Sequence, residues 1–83
     1  MNRYFLHLRD GVDVALDEEG QEFADEASLA EAMLLNARDS MSNDVRGGKL
    51  DLRLRIDAET ADGRVVRSLP FSDVLKIVLP GAR

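Results

Sequence analysis

One stretch constrains the fold more than any other, Asp25 to Gly47, where apolar residues return at helical spacing. Ala27, Ala30, Leu34, Ala37, Met41 and Val45 recur three or four apart, the period of one face of an α-helix. Leu29 and Met33 widen this stripe on one side, and Glu31, Arg38, Asp39, Ser42 and Arg46 occupy the opposite side. Ser28 followed by Glu31 fits a capping box, with Asp25 as the alternative cap, and Asp25, Glu26 and Glu31 suit the positive end of the helix dipole. Gly47 is placed to end the helix in a left-handed conformation, with Arg46 and Lys49 near the negative end. Ser28 to Val45 amounts to about 27 Å of helix at roughly 1.5 Å per residue. The stripe is rich in alanine, which lets a helix lie close to a flat sheet, and it sustains no heptad of the coiled-coil kind. Leu35 points away from the stripe, as an ordinary exposed leucine or as the mark of a partner surface.

A helix with one apolar face needs a second layer, and the remaining residues read as strands. Residues 3–9 alternate, with Tyr4, Leu6 and Leu8 on one face and Phe5, His7 and Arg9 on the other, Phe5 being partly covered as well. Asp10-Gly11 signals a hairpin turn into a short strand at Val12 to Leu16. Asp17 to Gly20 turns the chain again, and Gln21-Glu22-Phe23 runs on to the helix with Phe23 as an apolar anchor. From Leu50 to Glu59, Leu50, Leu52, Leu54, Ile56 and Ala58 alternate with charged residues, which predicts a strand with one buried and one wet face. Asp62-Gly63 closes a second hairpin. A two-residue turn there pairs Thr60 with Val65, Ala58 with Arg67, Ile56 with Leu69 and Leu54 with Phe71. Pro70 cannot donate to a ladder, so its strand is expected at an edge or with a bulge there. Phe71 to Leu79 reads either as a helical turn capped by Ser72-Asp73 through Lys76 or as a short apolar strand from Val74 to Leu79, with a turn of helix and then a short extended segment preferred, and Pro80 to Arg83 reads as a loose tail. The expectation is a single α+β domain over residues 1–79 in the order β-β-α-β-β, a small antiparallel sheet with one helix packed on one face.

Composition narrows the function. The chain has 83 residues, no cysteine and one histidine, so disulfides, thiolate zinc sites and a structural zinc are not expected, and no cofactor is. The opening residues enter a strand pattern without the apolar core of a signal peptide, and no apolar run reaches the ~20 residues that span a bilayer, so a soluble cytoplasmic protein is expected. Charge is uneven. Residues 1–44 carry eleven acids against three arginines, and residues 45–83 carry five acids against eight lysines and arginines. The acidic half argues against general nucleic-acid binding, which draws its affinity from a basic surface.

His7 is the one candidate general base, but no serine or threonine nucleophile motif accompanies it, and an ordinary sheet residue is the better reading. Asp10, Asp13, Asp17, Glu18, Glu19 and Glu22 lack the alternate spacing of a calcium loop and read as a solvated acidic rim. Gly47-Gly48-Lys49 follows a helix where a phosphate loop precedes one, and reads as a helix stop. Arg53 and Arg55, with Arg64 and Arg67 nearby, could face RNA. They are interleaved with Asp51, Asp57 and Glu59 and share no aromatic, so a charge-paired sheet surface is the better reading.

Arg3 to Gly11, Asp17 to Gly20, the Ala- and Glu-rich helix, Gly48 to Leu52 and Leu69-Pro70-Phe71 together resemble a family of short bacterial proteins of unknown function, abundant in alphaproteobacteria. That resemblance covers nearly the whole chain and implies a bacterial cytoplasmic protein without supplying an activity. From Gly20 to Met41, a glycine turn followed by Asp25, Ser28-Leu29, Glu31-Ala32 and Asn36 is similar to the strand-to-helix passage of HicB-like antitoxins. This second resemblance implies a small sheet against one helix. The separate DNA-binding segment those proteins often carry is not expected here, which argues against a repressor and leaves toxin or partner binding open. The expected function is a non-catalytic protein-interaction or regulatory module, acting on a protein partner or as a homodimer through a sheet edge or the exposed side of the helix. The alternative is a HicB-like antitoxin or nucleic-acid-linked regulator. Leu35, Arg53, Arg55 and Arg67 are the candidate contact residues, and no catalytic, cofactor or metal residue is expected.

Overall fold

The computed structural model describes residues 2–81 and shows an open antiparallel sheet of five strands with one helix on one face. The strands are β1 (Asn2–Arg9), β2 (Asp13–Ala15), β3 (Gln21–Phe23), β4 (Arg55–Glu59) and β5 (Val65–Pro70), and the helix α1 spans Glu26–Arg46. The order is therefore β-β-β-α-β-β. Gln21 to Phe23, expected as a simple run into the helix, pairs with Tyr4 to Asn2 as a third strand. Three residues with one apolar side chain carry too little period-two signal to announce a strand.

The main path of the sheet is β2-β1-β4-β5, with β3 also on β1. β1 meets β4 along one edge from Phe5 to Arg9. Its other edge is shared by β3 at Asn2 to Tyr4 and β2 at Leu8 and Arg9. Asp17 fills the gap between them. Its carboxylate accepts the backbone N–H of Leu6 (3.2 Å), Glu19 (3.2 Å) and Gly20 (3.0 Å). Asp17 is thus half-buried and structural, unlike the exposed acids of the expected rim.

Asp25 is the helix cap, accepting the Ser28 backbone N–H at 2.8 Å, so the alternative cap holds in place of the Ser28–Glu31 box. At the other end the left-handed glycine is Gly48 (φ 84°), one residue later than expected, while Gly47 keeps φ −82°. Gly48 N–H donates to Val45 O (2.9 Å) and Lys49 N–H to Asp44 O (3.1 Å), the bond pair of a Schellman ending. The helix is rotated from the expected stripe. Leu29, Met33, Ala37 and Met41 are buried, Leu34 is half-buried, and Ala27 and Val45 are exposed. These four join Phe23, Leu54, Ile56, Ala58, Phe71 and Val74 in one core, with Tyr4, Leu6, Leu8 and Leu69 packed against it. No helix among the described residues is long and apolar enough to cross a membrane.

The strand expected from Leu50 begins only at Arg55. Asp51 takes the Arg53 backbone N–H (3.0 Å) and its guanidinium (2.9–3.0 Å), and this local bonding competes with extension and turns the chain. Leu50 and Leu52 remain at the surface. The β4–β5 register is as expected at Ile56–Leu69 and Ala58–Arg67, but a bulge pairs Val65 with Glu59 in place of Thr60. Phe71 N–H donates to Leu54 O at 2.9 Å, and β5, with Pro70, lies at the sheet edge. A single 3₁₀ turn (Phe71–Asp73) buries Phe71 and Val74, and Leu75 to Leu79 continue without regular structure, where a longer helical turn and an extended segment were expected. Of the expected tail, residues 82–83 lie outside the described residues.

Candidate functional site

The sheet face away from α1 carries the densest chemistry. Antiparallel pairing sets Phe5, His7 and Arg9 of β1 beside Glu59, Asp57 and Arg55 of β4 and Ser68 of β5 beside Asp57. Arg9 binds Asp57 at 2.9 Å, Asp13 at 2.7 Å and also Glu59. Arg55 holds Asp57 at 3.1 Å and the Ser68 hydroxyl donates to it at 2.6 Å. Asp57 is only 2% exposed on a face expected to be wet. Burial alone would raise its pKa, but hydrogen bonds from Ser68, Arg9 and Arg55 outweigh that and hold it below the usual carboxylate range. Donation to the carboxylates of Asp13, Asp57 and Glu59 pushes the Arg9 guanidinium pKa further up, so it stays charged.

His7 completes the cluster. Its Nδ1 accepts the Asp17 backbone N–H at 3.0 Å, which leaves Nε2 as the N–H, 3.7 Å from Glu59. Its ring stacks on Phe5, which in turn lies on Gly20. Asp17 is desolvated, yet the N–H groups of Gly20, Leu6 and Glu19 together hold its pKa down. No buried side-chain nitrogen or oxygen among the described residues lacks a hydrogen-bond partner. The cluster therefore has the chemistry of an ion-pair network in which every buried polar side-chain atom is partnered.

The four candidate contact residues do not converge. Leu35 is 56% exposed and lies beside Ser28, Glu31 and Ala32. Arg53 is tied to Asp51 in the turn before β4, and Arg55 belongs to the Asp57 cluster. Arg67 pairs with Ala58, whose side faces the helix, so it lies on the opposite face of the sheet from Arg55, in a cleft with Tyr4, Glu26 and Leu29.

Two larger concavities remain. One, about 420 Å³, has Leu6, Leu8 and Ile56 as its floor and Asp17, Asn36 and Ser40 at its rim. The other, about 370 Å³, lies at the C-terminal end of α1 and is the more apolar. Met41, Val45, Leu50 and Leu75 line it, with Arg38, Ser42 and Arg46 around it. Val45, Leu50 and Leu75 are 57%, 36% and 37% exposed. Arg38 donates to the Val74 carbonyl at 3.3 Å, and neither it nor Arg46 forms an ion pair among the described residues. The groove is not legible in the sequence, where Val45 fits the apolar stripe of the helix and Leu50 the alternation of a strand. The signal available was the crowding of aliphatics at residues 45–52 and 74–79 among lysines and arginines.

Against known proteins, the family model for a domain of unknown function (DUF6894) matches residues 3–72, and the chain belongs to that family. No curated protein and no solved structure matches it.

Proposed function

We propose that this member of the DUF6894 family is a non-catalytic protein-interaction module that docks its partner in the groove at the C-terminal end of α1. The observation that carries this reading is the gathering of Val45, Leu50 and Leu75 at the surface around Met41. Adjoining aliphatic side chains left in water gain free energy when a partner covers them, about 25 cal/mol per Å² of apolar area removed from water.

The sheet edges are less suited to docking. β5 is bulged at Val65 to Arg67 and ends in Pro70, β2 is three residues long with its own irregularity, and β3 is also three residues long. Short strands, bulges and prolines blunt an edge against added strands. The His7 cluster supports a non-catalytic reading, because a general base needs a free lone pair and His7 Nδ1 already accepts a backbone N–H.

A photo-crosslinking residue at Val45, compared with one at the still more exposed Val12 outside the groove, tests the proposal in cells that make the protein. A discrete adduct at Val45, absent at Val12 and lost on Leu75→Glu, supports it. Equal adducts at both positions, or none at Val45, sink it. A toxin would be one such partner, and the test does not presuppose it.

A further inference from the structure

The geometry points to an acidic amphipathic helix as the occupant of the groove, an inference that rests on the docking reading above and adds the partner's chemistry. Three observations converge on it. The floor is apolar and includes Met41, whose flexible thioether adapts to docked side chains. Arg38 and Arg46 stand on the rim without an ion-pair partner among the described residues, so the groove offers positive charge where a docked helix would present its polar flanks. The two arginines are eight positions apart on α1, about 12 Å along its axis, so acids about two turns apart on a docked helix can reach both.

A second copy of the chain fits less well. The side of its helix that carries acids offers one exposed aliphatic anchor, Leu35, between Glu31 and Asp39. Glutamates flanking a leucine stripe complement the arginines, and lysines there would face like charge in a partly desolvated site.

The test titrates the isotope-labelled full chain with a capped peptide of two Leu-Glu-Glu-Leu-Leu-Glu-Ala repeats, and separately with the same peptide carrying lysine for glutamate. The expected result is saturable backbone amide shifts at Met41, Val45, Leu50 and Leu75 with the acidic peptide. The lysine peptide should bind about tenfold more weakly or not at all. Arg46→Glu, which leaves Arg38 balanced by one new carboxylate, should remove that preference, and Arg46→Gln should weaken it without the helix-end penalty of that carboxylate. If both peptides bind alike at those amides, the acidic preference is wrong and the docking groove stands. If neither shifts them at millimolar concentration, both fall. Shifts that depend on the concentration of the chain alone would assign the groove to a second copy. Retention of the chain on phosphatidylglycerol vesicles, with neither peptide bound, would assign it to a lipid surface and overturn the inference.

Discussion

Ile56 and Ala58 turn one side of β4 toward α1, Asp57 and Glu59 turn the other side away from it, and all four are buried, at 5%, 0%, 2% and 9% exposure. The first pair is covered by Met33, Ala37 and Phe71, which exclude water by packing. The second is covered by the side chains of Arg9, Arg55 and His7, which exclude water while satisfying every charge beneath them. Burial on this sheet therefore does not distinguish core from surface, and the two faces should fail in different ways when altered. An apolar layer loses stability in proportion to the volume removed. A paired layer loses most when one partner goes and the other is left charged.

The largest effect is expected on the apolar side. Phe71 is fully buried, and Phe71→Ala should cost about 3–5 kcal/mol in urea unfolding, most of the stability of so small a domain. On the other side, Arg9→Ala should cost about 3 kcal/mol by taking from Glu59 its arginine partner and from Asp57 one of its two cations. Replacing Arg9, Asp57 and Glu59 together by Met, Leu and Leu should recover most of that loss. The two-face distinction breaks if the triple variant is the worse of the two. Gly20→Ala tests the edge of the paired side. Gly20 has φ 72° and its added Cβ would lie 2.8 Å from the Phe5 ring, so about 1–3 kcal/mol is expected.

Acid should weaken the paired face and leave the apolar face unchanged. Asp17 and Asp57 have folded pKa values below their unfolded ones, so their contribution is complete above about pH 4 and is lost as the pH falls through the folded values. Urea midpoints should therefore drop below about pH 4. Asp57→Asn should flatten that drop, whereas Met33→Ala should lower the midpoint at every pH without changing its slope against pH. The smallest effect, within about 0.5 kcal/mol, is expected for Leu35→Ala, since Leu35 belongs to neither layer. A larger loss would mean the helix face is placed wrongly.

Much of the apolar side was legible in the residues. The span of α1, the β4–β5 register at Ile56–Leu69 and Ala58–Arg67, and the edge position of Pro70 follow from spacing, turn chemistry and the missing proline donor. The rotation of the helix was not, because Ala27 and Val45 fit the period as well as Leu29 and Met33. Which side turns inward depends on what Phe71 and Ile56 leave room for. The paired side was the least legible. Arg9 and Asp57 are 48 positions apart, and no local pattern announces that cross-strand pairing will stack them. Of the groove, sequence showed the aliphatic residues and the cations but not that they share one wall.

By itself, then, the chain determined one helix and the hairpins, because these depend on contacts between near neighbours in sequence, while the caps were fixed only to within a choice of Asp25 or Ser28 and of Gly47 or Gly48. Only the tertiary structure decided that Gln21 to Phe23 would be a strand, that Leu50 and Leu52 would stay in water, and that Asp57 would be buried under Arg9. Each of those outcomes is set by a competition. Three residues of weak β pattern gain a ladder only because β1 has a free edge. Asp51 bends the chain before β4 can lengthen. A carboxylate tolerates burial only where cations from distant strands arrive with it.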